Sequence, residues 1–386
     1  MSGIQYFMTE EHDMFRKSVD DFVKANILPN FEQWEKDGYI GREIYKQAAE
    51  LGLLGIAMPE EYGGTGLDDI FSMIWLEQGA RHNVAGAMLG LCTHSYLPMQ
   101  YLNKFASEDL KKKYLTPSCS GDLIGCLGMT EPFAGSDLAA LRTTAVKEGD
   151  HYIVNGSKTF ITNGVYADYI VAAVKTNPED QRAGVSLLVI DANSEGYSTT
   201  KLDKLGIRSS DTAEIAFQDV KVPASNLIGE EGKGFLYMMM SLQIERLSIA
   251  WACLGGCLGV MDVTKQYIQE REAFGKPIAK FQTIRHKMVE METEIEATRA
   301  FMYLSTQRFV KGESIVKEAT MLKLKTAELL NQVADDCLQF FGGYGFMEEF
   351  PIARVYRDQR VNPIYGGTSE IMKEILSKIV IDGVKY

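Results

Sequence analysis

Three stretches carry residue types whose spacing suits ligand chemistry. Close to the C-terminus, Pro363-Ile364-Tyr365-Gly366-Gly367-Thr368-Ser369-Glu370 joins two bare glycines to hydroxyls that can cap a following helix. In that helix Ile371, Met372, Ile375, Leu376, Ile379 and Val380 recur at helical spacing. Its first N–H groups are unpaired and nothing bulky shields them, so a flat or anionic ligand can sit there. Alone, the run reads first as a Gly-rich turn before a helix. In the middle of the chain, Met129-Thr130-Glu131-Pro132-Phe133-Ala134-Gly135-Ser136-Asp137 follows an apolar strand at 123–127. The Thr130 and Ser136 hydroxyls and the unobstructed Ala134-Gly135 backbone can hydrogen-bond a heterocycle edge and a phosphate. Further on, Lys158-Thr159-Phe160-Ile161-Thr162-Asn163-Gly164 sets an aromatic and a hydroxyl two apart, on one face of a strand. The Phe160 ring can stack on a ring system while Thr162 bonds it.

The elements that must position these stretches change character along the chain. From Thr9 to about Ser120 the pattern is helical: Phe15, Val19, Phe22 and Val23 form a stripe, and Thr9 and Ser107 each precede acidic residues as helix starts do. The helix opened by Ser107 is expected to end in Lys111-Lys112-Lys113. The run from Met58 to Gly66 is a loop. Near Leu123 short β-branched and aromatic runs take over, at 144–146, 152–154, 159–161, 169–174, 185–190 and 213–217, with turn signals that include Asn155-Gly156. Closely spaced strands without helices between them predict an antiparallel barrel or sandwich and no dinucleotide-binding βαβ unit. After Gly234 long helices return at about 236–270, 279–310, 314–341 and 369–381, which predicts a bundle. The fold class is therefore α+β and multidomain: a helical domain over 1–122, an antiparallel β domain over 123–233 and a helical bundle over 234–386.

The totals narrow the function. With 386 residues, 46% of them apolar, the chain can bury a large core. A net charge of −12 and a pI near 5.1 oppose a duplex nucleic-acid binder, which needs a basic face. Six cysteines show no Cys-x-x-Cys pair, and five scattered histidines fit no metal spacing, so reduced thiols and no metal centre are expected. Cys253 and Cys257 stand on a helical run beside Trp251 and Leu254, as core residues do. Met1 to Tyr6 carry no basic, apolar leader, and no segment is expected to span a bilayer. A cytoplasmic protein fits these features, as does a mature mitochondrial-matrix chain.

Together with Arg271-Glu272-Ala273-Phe274-Gly275-Lys276-Pro277 and Gln339-Phe340-Phe341-Gly342-Gly343-Tyr344-Gly345, these motifs resemble the acyl-CoA dehydrogenase family over essentially the whole chain. The resemblance implies helical, β-barrel and four-helix-bundle domains and a homotetramer holding non-covalent FAD. Carried over position by position, it puts Leu127, Met129, Thr130, Gly135 and Ser136 on the flavin and its pyrophosphate, and Phe160 and Thr162 against the ring system. Arg271, Phe274 and Gln282, with Gln339, Phe340, Gly342 and Gly343 of a neighbouring subunit, would hold the adenosine half. Thr368 and Glu370 would close over it. Ser136, Gln243, Glu245, Arg246, Tyr365 and Gly366 correspond to positions that meet the acyl-CoA, although many members carry Asp where this chain has Gln243.

The family's reaction removes a proton from the carbon α to a thioester and a hydride from the β carbon, so it needs a carboxylate base. Most members carry a Glu immediately before the Gly-Thr of the C-terminal motif, where this chain has Gly366. The long-chain and isovaleryl-CoA types instead carry the base on a helix, immediately before an Arg, and Glu245-Arg246 stands at that place. The resemblance thus makes Glu245 the base, with its pKa raised by burial, and Gly366 a backbone N–H donor to the thioester oxygen. It implies dehydrogenation of acyl-CoA to trans-2-enoyl-CoA, as in fatty-acid β-oxidation, with an electron-transferring flavoprotein as oxidant. Medium-to-long straight chains come first and short branched chains second. An acyl-CoA or nitroalkane oxidase is the enzyme alternative, separated by fast reoxidation in air. A non-catalytic flavin-binding assembly protein is the other, and Glu245 argues against it. His94, in an apolar run, is expected to be a packed, satisfied histidine.

Overall fold

The computed structural model describes residues 8–180 and 182–384; the stretch Met1 to Tyr6, expected to carry no leader, lies outside the described residues. The N-terminal part is helical: α1 (Glu10–Phe22), α2 (Leu28–Asp37), α3 (Glu43–Glu50), α4 (Asp69–Arg81), α5 (Ala85–Tyr96), α6 (Pro98–Phe105), and the short α7 (Glu108–Leu110) and α8 (Thr116–Cys119). Thr9 caps α1, its hydroxyl accepting from the His12 N–H, and Ser107 caps α7 in the same way. The lysine run departs from expectation. Lys111–Leu115 is a π-helical turn that carries the chain on into α8, so the three lysines lie within a helical segment and not at its end.

The β layer comprises β1 (Gly125–Gly128), β2 (Thr144–Glu148), β3 (His151–Thr162), β4 (Tyr169–Lys175), β5 (Val185–Asp191), β6 (Tyr197–Lys201) and β7 (Thr212–Pro223). They form one seven-stranded sheet, with β1-β4-β2-β3-β7-β6 in order and β5 against β4. Most pairs are antiparallel, but β1 runs parallel to β4 and β2 meets β4 through a parallel bridge, so the sheet is mixed. The intervening β2–β3 hairpin supplies the long connection that a parallel pair needs. Asn155-Gly156, expected to be a turn, lies inside β3, where the pairing with β7 shifts register. Gly156 is needed there because a Cβ would meet the Thr143 backbone and side chain within 2.8 Å.

The C-terminal part holds α9 (Gly234–Glu270), the two-residue strands β8 (Glu272–Ala273) and β9 (Lys276–Pro277), α10 (Gln282–Val310), α11 (Val316–Phe341), α12 (Pro351–Gln359) and α13 (Ser369–Val380). α9 is central and packs on α4, α10 and α11. It is long and apolar enough to cross a bilayer, contrary to the sequence-based expectation, yet 67% of its most apolar stretch is buried inside the protein. A helix packed by others over most of its surface has little polar face to keep. All six cysteines are free, and Cys253 and Cys257 are buried in this core.

Candidate active site

A cavity of about 580 Å³ opens where α4, α5, the loop after β1, the end of β3, α9 and the 358–367 segment converge. Its wall brings together Leu127 from β1, Met129, Thr130, Gly135 and Ser136 from the loop, Phe160 and Thr162 from β3, Glu245 and Arg246 from α9, and Tyr365 and Gly366. Gln243 is not in this wall; its side-chain oxygen accepts the Ile315 N–H at 2.8 Å, just before α11. A second concavity, of about 400 Å³, collects Arg271, Phe340, Gly342 and Gly343 with Tyr267 and Tyr344. Gln282, at the start of α10, and Gln339 and Glu370 are exposed. Phe274 stands 95% exposed at the tip of the β8–β9 turn. Thr368 caps α13, its hydroxyl accepting from the Ile371 N–H.

The loop after β1 is held from behind. Glu131, buried, accepts from the Lys158 ammonium at 2.6 Å and from the backbone N–H groups of Arg142 and Thr143. Burial alone would raise the Glu131 carboxyl, but Lys158 beside it holds it below the usual range. The Thr159 N–H donates to the Thr130 carbonyl at 2.9 Å and ties loop to strand. At this point β3 bulges against β7, and Phe160 takes a φ of +60°, a region bulky residues avoid. The bulge turns its ring out of the sheet, 70% exposed, toward the cavity that it lines. A Cβ on Gly135, Gly342 or Gly343 would meet nothing within 4 Å, so the backbone at all three is open to a ligand. An exposed aromatic in a strained conformation, hydroxyls at Thr130, Ser136 and Thr162, and bare glycine backbone are a donor set that fits a flavin and its phosphates.

Glu245 is 8% exposed, and burial pushes its carboxyl up to about 6. The Tyr101 hydroxyl donates to its Oε1 at 2.7 Å, and Arg246 and Lys104 lower its pKa in part. Arg246, also buried, donates to the Thr320 hydroxyl at 3.1 Å. Across the cavity Gly366 has φ +62° and Gly367 φ +96°, a double left-handed turn that side chains resist. A Cβ on Gly366 would come within 2.3 Å of Ile249 Cδ1. The place of the family's more common glutamate is thus filled by Ile249, one helical turn beyond Glu245. Among the described residues nothing accepts the Gly366 N–H.

Lys323 fastens this turn. Fully buried on α11, it donates to the Asn362 carbonyl at 2.9 Å and to the Gly367 carbonyl at 2.5 Å, and burial lowers its pKa to about 8. Lys323→Met leaves two carbonyls unpaired; relief from burying a charge offsets part of the cost. The expected loss is about 1–3 kcal/mol of stability by chemical denaturation, with reduced turnover. An unchanged midpoint and rate would remove Lys323 from the account. A lysine at the spacing of Ala319, Thr326 and Leu330 on an otherwise apolar helix face is the sequence signal that could have found it.

Asp358 is a second residue that the sequence analysis missed. It lines the cavity, accepts the Ile207 N–H at 2.6 Å, and is pushed up to about 7 by burial, so it joins α12 to the β layer at the cavity wall. His94, by contrast, is packed and satisfied as expected. Its Nδ1 accepts the Gly125 N–H and its Nε2 donates to the Ser118 carbonyl, both at 3.0 Å. Burial lowers its pKa to about 4 and keeps it neutral.

Comparison with known proteins spans nearly the full chain. Family models for the acyl-CoA dehydrogenase N-terminal, middle and C-terminal domains match residues 9–122, 126–220 and 232–381. The long-chain specific acyl-CoA dehydrogenase of Sus scrofa mitochondria is 42% identical over 98% of this chain and 88% of its own length. A crystal structure of an acyl-CoA dehydrogenase from Geobacillus kaustophilus superposes with a TM-score of 0.94 at 42% identity, over 99% of this chain and 100% of its own. A chain in the structure of the electron transferring flavoprotein of Acidaminococcus fermentans reaches 0.94 at 35% identity, over 97% and 98%.

Proposed function

The chain belongs to the acyl-CoA dehydrogenase family of FAD-dependent oxidoreductases, and on that premise we propose that it desaturates medium-to-long straight-chain acyl-CoA thioesters with Glu245 as base. FAD, when bound, supplies the hydride acceptor for the β carbon. The residues from Leu127 to Ser136, with Phe160 and Thr162, hold the flavin against the cavity. Arg271, Phe274 and Gln282, with Gln339, Phe340, Gly342 and Gly343 of a neighbouring subunit in a homotetramer, hold its adenosine half. Thr368 and Glu370 close over it.

The single observation that carries the reading is a buried carboxylate in the wall of a largely apolar cavity, which it shares with a glycine turn whose Gly366 N–H no described residue accepts. Glu245 takes the α proton onto its carboxylate. Charge that builds on the thioester oxygen meets the Gly366 N–H, already aimed by the turn that Lys323 fastens. Tyr365, Arg246 and Ser136 line the same space, and Ile249 crowds the acyl chain toward it. Because the base acts ionised, kcat/KM should climb as pH rises through about 6 and level off above, following the raised Glu245 pKa. A profile flat down to pH 4 would contradict the assignment.

The proposed chain length is supported by α9. Its cavity face continues beyond Glu245 through Ile249, Ala252 and Cys253 to Gly256, about 16 Å along the helix axis. That reach fits a medium-to-long acyl chain and exceeds a short branched one. An electron-transferring flavoprotein is the proposed oxidant, and the six free thiols suit a reducing compartment. The test is anaerobic flavin bleaching across butyryl-, isovaleryl-, octanoyl-, dodecanoyl- and hexadecanoyl-CoA. Fastest bleaching from octanoyl upward supports the proposal, and fastest bleaching by isovaleryl- or butyryl-CoA rejects the chain-length assignment.

A further inference from the structure

A glutamate on a helix has three side-chain torsions, and a base must present one oxygen to one carbon. Something has to choose its rotamer. The phenol of Tyr101 is placed to do so. It is fully buried on α6, 144 residues from Glu245 in sequence, and donates to Oε1 at 2.7 Å. That is the one hydrogen bond to the Glu245 carboxylate among the described residues. α6 is itself locked to α9 two turns earlier, where Phe105 stacks on Tyr237 with ring centroids 4.3 Å apart and planes 20° from parallel. The hydroxyl is therefore held by the fold and cannot follow the carboxylate if it swings.

We infer that Tyr101 is a positioning residue for the base: its hydroxyl pins Oε1, holds the carboxylate in one rotamer and leaves Oε2 to take the α proton. The inference rests on Glu245 being the base. A phenol that donates to a carboxylate favours its ionised form, so the bond also keeps the base available near neutral pH against the burial that opposes ionisation. The other charged groups facing Glu245 are Lys104, from the same helix as Tyr101, and Arg246, from its own. Lys104 is also attracted by Asp69, whereas Arg246 repels the buried Lys323. Replacing Tyr101 by Phe leaves all of these in place and removes one O–H.

The test uses FAD-loaded Tyr101→Phe and Glu245→Gln. Tyr101→Phe should keep its flavin and its substrate affinity. Flavin reduction in a single turnover should slow about twofold at pH 7 and about fivefold at pH 6, as the acid limb of its pH profile moves up by about one unit from about 6, with most of the rate recovered by pH 9. An infrared titration, following the carboxylic acid band that Glu245→Gln abolishes, should move in parallel. Incorporation of 3-fluorotyrosine at 101, a stronger donor, should move both the other way. A rate lowered equally at every pH, with the infrared titration unmoved, would show that Tyr101 only fills space and would overturn the inference while leaving Glu245 as base. Retained flavin reduction in Glu245→Gln would instead overturn the reading beneath it.

Discussion

Glu245→Gln should bind FAD, turn yellow and fail to bleach with acyl-CoA. Removing a positioned base typically costs about 10²–10⁴ in rate, or roughly 3–5 kcal/mol of transition-state stabilisation. The substitution is nearly isosteric, and Tyr101 can still donate to the carboxamide oxygen, so the cavity wall should stand unchanged. The loss should therefore fall on the chemical step, with acyl-CoA affinity within a few-fold of the native protein. Of the other carboxylates in the cavity wall, Asp137 is exposed on the loop after β1 and lacks the burial of Glu245. Asp358 also lines the cavity, but one oxygen is committed to the Ile207 N–H. Glu131 is bound to Lys158 and two backbone donors. A Glu245→Gln protein that bleaches within tenfold of the native rate would leave the mechanism without a base.

The second large effect concerns the acyl chain. Ala252 lines the cavity seven residues past Glu245, about 10 Å along α9. Ala252→Leu should cut off the inner part of the channel and exclude roughly the last four methylenes of a dodecanoyl chain. Each buried methylene contributes about 0.8 kcal/mol, so kcat/KM for dodecanoyl-CoA should fall by about two orders of magnitude, while butyryl-CoA changes little. Equal losses on both substrates would mean that the chain does not run along this face.

Local signals in the sequence survived folding well. Thr9, Ser107 and Thr368 cap helices because a short hydroxyl side chain answers orphan N–H groups wherever a helix starts. The long C-terminal helices follow from their periodicity. What failed was structure without a periodic signal. β6, Tyr197-Ser198-Thr199-Thr200-Lys201, is mostly exposed at the sheet edge and shows no apolar alternation. α12 is short, begins with Pro351 and carries three charged residues. Asn155-Gly156 reads as a turn, yet the same conformational freedom serves a bulge, and only the partner strand decides which. The mixed pairing of the sheet depends likewise on strands far apart in the chain.

The site divides along the same line. Hydroxyls and glycines in loops announced themselves, but Glu245 looks like any surface glutamate until it is set beside the missing one at Gly366. The physical reason it is not on the surface lies on other elements: Tyr101 on α6 and the Gly366 turn fastened from α11 by Lys323. Neither contact has a local signature. Ile249, whose side chain fills the space a Cβ at Gly366 would need, is equally silent in sequence.

The most direct test of the central claim is one anaerobic turnover. FAD-loaded protein is mixed with one equivalent of dodecanoyl-CoA at pH 8, above the Glu245 pKa of about 6. The flavin spectrum and the thioester product are then read together. The expected result is loss of the oxidised flavin band with formation of trans-2-dodecenoyl-CoA in equal amount, slowed when the α hydrogens are replaced by deuterium. An unbleached flavin with dodecanoyl-CoA recovered intact would contradict it.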